Sequence, residues 1–211
     1  MAIHSDVKKH TIESLKEDLV AVEYCIKFEK SDEADWGSFG IGCLGSPAFI
    51  LLCSMIDSMG AYFHNTSAMI RVDGEERKIQ TVADHFLILN HDKLFKFKIS
   101  AKIIYEFYTK YRSPATHDNT LPLNRFLDIG NENDDIFVVD VNGELDLVRL
   151  RPLFVAVKFA VNEFSHYLKN GNWSDEHWLT NDLNNVRGKK TAPSQSSPSA
   201  SGSANVPPTI I

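Results

Sequence analysis

From Asp6 to Glu29 the apolar residues Ile12, Leu15, Leu19, Val22 and Ile26 recur at spacings of three and four, which places them on one stripe of a helix. Residues 30–35 are charged and residues 37–45 glycine-rich, so the chain turns before a second helix. That helix is predicted to open with Ser46 as N-cap and Pro47 at the first helical position, and to bury Phe49, Leu52, Ile56, Met59 and Phe63. Thr81 predicts a cap for a short helix through Leu89. Ile103, Ile104, Phe107, Tyr108 and Tyr111 mark another over residues 99–111. It is expected to end near Arg112, because Pro114 disfavours helical backbone at Ser113. A last stripe, Leu153, Val157, Ala160 or Val161, Phe164 and Leu168, follows Pro152 and stops at Asn170-Gly171.

Two stretches change to a shorter period. Within residues 65–80, Asp73-Gly74 between brief alternations suggests a small hairpin or a surface loop. At Ile136 to Leu150, IFVVDVNGELDLVRL reads as two strands joined by Asn142-Gly143 in a type I′ turn. The pattern predicts a mainly α fold, a helical bundle with a small β-hairpin insertion, over residues 1–180. Trp173 and Trp178 would pin a short segment onto its body. From Arg187 onward, KKTAPSQSSPSASGSANVPP has almost nothing to bury, so residues 187–211 are expected to form a disordered Ser/Pro-rich tail.

Composition narrows this picture. A chain of 211 residues with 43% apolar content closes one core without needing a second domain. The net charge of -6 argues against nonspecific coating of nucleic acid, so any RNA contact must come from a local basic patch. Cys25, Cys43 and Cys53 are odd in number and lie in or beside apolar runs, which reads as core thiols in a reducing compartment. The N-terminal MAIHSDVKKH has no apolar signal region, and the run Ala48 to Phe63 is interrupted by Ser54, Asp57, Ser58 and Gly60. A cytoplasmic location with no membrane partner follows as the expectation. Asp57, inside this most apolar helix, must be paired or hydrogen-bonded if buried.

The candidate chemistry is short. GIGCLG at residues 40–45 matches G-x-G-x-x-G, but no strand precedes it and no βαβ alternation follows, so it reads as a loop that lets helices pack closely. No cofactor is implied. No metal-ligand spacing gathers the eight histidines, and His85 and His91 read as surface or core-edge residues. The sharper constellation is Tyr111-Arg112-Ser113-Pro114-Ala115-Thr116-His117-Asp118. A guanidinium can grip a phosphate through two donors, and an imidazole can take a proton from a ribose 2′-OH or deliver one to a leaving 5′-oxygen. Together they suffice for metal-free RNA cleavage by internal transesterification, with Arg112 on the scissile phosphate and His117 as acid or base. Tyr111, Ser113 and Asp118 are the supporting candidates. Lys93, Lys96, Lys98, Lys102, Lys110 and Arg112 face only Asp92 and Glu106 between residues 91 and 113, and Lys102 and Lys110 are the candidate phosphate-binding lysines.

The motif resembles that of the HEPN superfamily, small helical bundles whose signature is Arg, four to six residues, then His, with a polar residue commonly just after the Arg. Arg112, Ser113 and His117 match it. SPAFILLCSMIDSMGAYF and FYTKYRSPATHDNTLPLNRFL also look like segments of bacterial proteins with HEPN-like organisation. The resemblance covers roughly Asp6 to Asn170. It implies a metal-independent endoribonuclease, frequently the toxin of a toxin–antitoxin or phage-defence system. Such a protein works on RNA, is held by an antitoxin or another protein partner, and pairs as a homodimer whose two Arg/His sets face one cleft. Noncatalytic members that bind nucleotides or proteins are the alternative. Pro114 departs from the continuous helix that usually presents both motif side chains, and the hairpin at Ile136 to Leu150 is a second departure.

Overall fold

The three long apolar stripes produce the helices that enclose the core. In a computed structural model that describes residues 3–29, 42–118 and 120–173, α1 spans Ile3–Lys27, α2 Gly45–Tyr62 and α5 Leu150–Asn170. Each packs on the other two. Ile12, Leu15, Val22 and Ile26 of α1 are buried against fully buried Phe49, Leu52, Ile56 and Met59 of α2, and against Leu153, Val157, Ala160 and Phe164 of α5. The fold is mostly helical with two small sheets.

Helix α2 starts two residues earlier than the Ser46-Pro47 signal suggests, with Leu44 at the N-cap position and no side-chain cap. Pro47 therefore sits in the third helical position, still within the first turn, where a missing N–H has no intrahelical partner to lose. At the other end of α5, Gly171 adopts φ 75° and its N–H reaches Tyr167 O, the left-handed stop the sequence signals.

The short-period segments form sheets. Strands β1 (Ile70–Val72) and β2 (Glu75–Arg77) pair antiparallel around Asp73 and Gly74, both at positive φ, 54° and 86°. The type I′ geometry expected of Asn142-Gly143 thus occurs here. The second hairpin, β4 (Phe137–Val139) with β5 (Leu145–Arg149), closes differently. Gly143 alone takes positive φ, its N–H bonds Asp140 O at 3.0 Å, and Asp140 N bonds Glu144 O at 2.8 Å. A turn followed by one left-handed glycine replaces the two-residue loop, because Asp140 Oδ1 accepts from both Asn142 N and Glu144 N and holds the wider turn. A third strand that the alternation does not predict, β3 (Phe126–Asp128), runs parallel to β5, giving the order β3, β5, β4.

Between the hairpins lie two helical segments. Residues Ala83–Asn90 form a 3₁₀-helix rather than an α-helix. Thr81 and Asp84 bond reciprocally at its start: Asp84 Oδ2 accepts from Thr81 N and Thr81 Oγ1, both at 2.8 Å, and Asp84 N donates to Thr81 Oγ1 at 3.3 Å. Asn90 closes the following loop by bonding both backbone groups of Ile99. Helix α3 (Ala101–Glu106), capped by Ser100, then runs without interruption through a π-helical turn, Phe107–Arg112, into α4 (Ser113–His117). The expected stop at Arg112 does not occur. Pro114 has no N–H for a bond four residues back, and its ring would meet the Lys110 carbonyl. The π turn changes the register just before it, with Ser113 N–H bonding Tyr108 O five residues back, and the helix continues past the proline.

Trp173 packs on the body, stacked on Tyr167 at 4.3 Å between centroids. Trp178, Gly40 and Ile41, and the predicted tail 187–211 lie outside the described residues. Cys25, Cys43 and Cys53 form no disulfide with one another. Among the described residues no helix is long and apolar enough to cross a membrane.

Candidate functional site

Arg112 is the last residue of the π turn, and its side chain is directed at α2. Its Nη2 donates to Asp57 Oδ2 at 2.7 Å, and the guanidinium lies over the Tyr108 ring, 5.4 Å from the centroid. The other carboxylate oxygen, Asp57 Oδ1, is 2.6 Å from His85 Nδ1, and His85 Nε2 is 3.0 Å from His64 Nδ1. One hydrogen-bonded chain therefore runs from Arg112 through Asp57 and His85 to His64. Side-chain exposure is 17% for Arg112, 19% for Asp57 and 9% for His85, so these contacts form largely out of water, where electrostatic interactions strengthen.

The local sequence explains this assembly. Asp57 lies in the last two turns of α2 and His64 in the turn just past its end, where His64 N–H bonds Ala61 O. Gly60 lies between them. A Cβ on Gly60 would stand 2.2 Å from the His85 carbonyl oxygen and 2.6 Å from His85 Cβ, so only glycine lets the 3₁₀ segment approach closely enough for His85 to bridge Asp57 and His64. Asp84 fixes the same segment to α3 by accepting Tyr105 Oη at 2.6 Å. Burial alone would raise the Asp84 carboxyl, but hydrogen bonds from Tyr105 and Thr81 outweigh it and hold the group below its ordinary value.

The tautomers follow from the partners. An ionised Asp57 accepts only, so His85 Nδ1 carries a proton and donates it. In neutral His85, Nε2 is then the acceptor, and His64 Nδ1–H donates to it. Cys53, one turn before Asp57, is buried, and burial pushes its thiol well above the ordinary value despite the opposing effect of Arg112. It is held as an unreactive thiol.

The residues of the Arg/His motif separate in space. His117, at the end of α4, is exposed, and its side chain makes no hydrogen bond, ion pair or ring contact with another described residue. Five helical residues rotate the chain by roughly 140° from parallel alignment, so Arg112 faces α2 while His117 faces solvent. Ser113 is half-buried and Asp118 exposed beside them. Tyr111 is fully buried against Phe49 and Phe107, and burial pushes its hydroxyl up to about 12, so it stands in the core as a protonated phenol. Lys110 lies between Glu106 and Glu144, 3.0 Å from each. Lys102 is exposed, on the order of 15 Å along the helix from Arg112 at the usual rise per residue.

His85 is thus neither a surface nor a core-edge residue. It is buried at the middle of the chain of contacts, and His64 was not singled out by its sequence context at all. The available signal was Asp57 and Gly60 in the last turns of α2 with His64 just past its end, whose meaning depends on a further residue supplied from elsewhere. Among the described residues no group of three or more His, Cys, Asp or Glu side chains is arranged to hold a metal ion. Comparison with protein-family models, curated proteins and solved structures gives no match.

Proposed function

We propose that the chain is a metal-independent endoribonuclease of the toxin–antitoxin or phage-defence kind, with a HEPN-like bundle as scaffold and a homodimer as its working form. The observation that carries this reading is the contrast between the two motif residues. Arg112 is oriented by Asp57 and Tyr108, whereas His117 is an exposed imidazole with no engagement among the described residues. A guanidinium whose direction is fixed in advance loses little freedom on gripping a phosphate, and its remaining N–H groups are available for that grip. An unengaged imidazole is free to transfer a proton. Since the two leave the helix on different sides, a complete site takes Arg112 from one protomer and His117 from a second copy across a two-fold axis. RNA is then the substrate, an antitoxin or other protein is the restraining partner, and the cytoplasm is the place of action.

The Arg112 to Asp57 ion pair also favours a second reading, a noncatalytic HEPN-like module that binds a nucleotide or a protein. In that reading the guanidinium serves the fold alone. The experiment that separates them offers purified protein a mixed RNA in EDTA. Cleavage leaving 2′,3′-cyclic phosphate ends, lost by about 10²- to 10⁴-fold in His117→Ala with an unchanged melting temperature, supports the nuclease. No cleavage of any RNA by the wild-type protein, or full cleavage by His117→Ala, overturns it.

A further inference from the structure

We infer that His64 is a second acid–base group of the same site, the exposed end of a proton relay that runs through His85 to Asp57. This rests on the ribonuclease reading. Internal transesterification needs two proton transfers, one from the attacking 2′-OH and one to the leaving 5′-oxygen. His117 accounts for one of them.

The geometry gives the other a route. His64 is half-buried, and its Nδ1 is committed to His85 Nε2 at 3.0 Å, which leaves Nε2 as its basic nitrogen. When Nε2 takes the 2′-OH proton, the Nδ1 proton passes to His85 Nε2. His85 becomes an imidazolium whose Nδ1–H is already bonded to Asp57 Oδ1 at 2.6 Å. The positive charge thus forms beside a carboxylate placed to stabilise it. In the same step the 2′-oxygen to phosphorus bond forms and the phosphorus to 5′-oxygen bond breaks. The 5′-oxygen receives its proton from a protonated His117, so one proton is taken up and one delivered. Asp57 and His85 are positioning residues, and His64 is the residue that touches substrate.

The shared carboxylate makes this one site. Asp57 Oδ2 orients the phosphate clamp while Oδ1 orients the relay, so the phosphate grip and the proton acceptor are fixed relative to each other by three hydrogen bonds. The buried polar chain needs a donor at His85 Nε2, and His64 Nδ1 supplies it. The half-buried imidazole of His64 extends it to the surface.

The test combines NMR of the ¹⁵N-labelled full chain with kinetics. The spectrum is expected to show a slowly exchanging downfield proton on His85 Nδ1, a proton on His64 Nδ1 and none on His85 Nε2. A His64 protonated on Nε2 alone overturns the relay without reference to activity. In kinetics, His64→Gln should lower kcat by about 10²- to 10⁴-fold with KM for RNA nearly unchanged. His85→Gln should lower kcat by about ten- to a hundredfold, the loss of one hydrogen bond to a charged group. If wild-type protein cleaves RNA and His117→Ala does not, while His64→Gln cleaves at the wild-type rate, the relay is wrong and the nuclease reading stands. If wild-type protein cleaves no RNA, both fall.

Discussion

Arg112 and His117 should respond to truncation in opposite ways. His117 is exposed with no described partner, so His117→Ala should change unfolding free energy by no more than about 0.5 kcal/mol. Arg112→Ala removes the partner of Asp57 in a setting four-fifths out of water, and should cost roughly 2 kcal/mol, the range for hydrogen bonds to charged groups. Urea denaturation of the two variants checks the difference. If His117→Ala were the more destabilising of the two, the division into a structural and a free motif residue would be wrong. His91 supplies a pH-dependent contribution. Burial lowers its pKa, with Asp92 opposing and Lys93 assisting, and its Nδ1 accepts the Lys93 N–H at 3.1 Å, which a protonated Nδ1 could not do. The unfolded chain therefore takes up a proton first, near the ordinary histidine value of about 6.5. Stability from this group is fully present above that value and is lost as pH falls towards the lower folded value. The melting temperature of wild type relative to His91→Gln should be constant from pH 8 to 7 and decline below about 6.5. A difference independent of pH would show that the His91 ring acts through packing alone.

At the scale of elements, Gly60 decides whether α2 and the 3₁₀ segment meet. Alanine is the better helix former by about 1 kcal/mol, yet its Cβ would overlap the His85 backbone. Backbone has no rotamer by which to escape, so Gly60→Ala should be net destabilising by about 1–3 kcal/mol, and the His85 Nδ1 proton signal should be lost. An unchanged midpoint would mean that the 3₁₀ segment can move aside freely. Periodicity made α1, α2 and α5 legible in the sequence, because each buries one long stripe. The site around Arg112 was not legible for a physical reason: Asp57 is 55 residues from Arg112 and 28 from His85, and no local pattern fixes which polar residue meets a carboxylate across a helix interface. Pro114 misled in a related way. The rule that the residue before proline leaves the helix assumes an α register, and the π turn at Phe107–Arg112 removes that assumption. Strand β3 escaped notice because three residues after a Pro- and Asn-bearing connection carry too little alternation to register.

At the scale of the whole molecule, the helical core sets the direction of Arg112 and the exposed end of α4 sets that of His117, and these directions diverge. A site confined to one chain would have to bend them together, whereas a two-fold pair lets each protomer contribute one. The consequence is a complementation experiment. Arg112→Lys keeps the charge but loses the planar two-donor grip, and His117→Ala loses the proton carrier, so each homodimer should be inactive. In a mixed dimer, the His117→Ala protomer supplies its intact Arg112 to the intact His117 of the Arg112→Lys protomer. One of the two sites is thereby restored and the other is doubly defective. Mixing the inactive proteins, with subunit exchange, should recover roughly a quarter of wild-type activity, since about half the dimers are mixed at random pairing of equal amounts and each holds one of two sites. Sites contained within single chains predict no recovery at any mixing ratio. That result would place Arg112 and His117 in cis and refute the two-fold arrangement, even if each protein still dimerised.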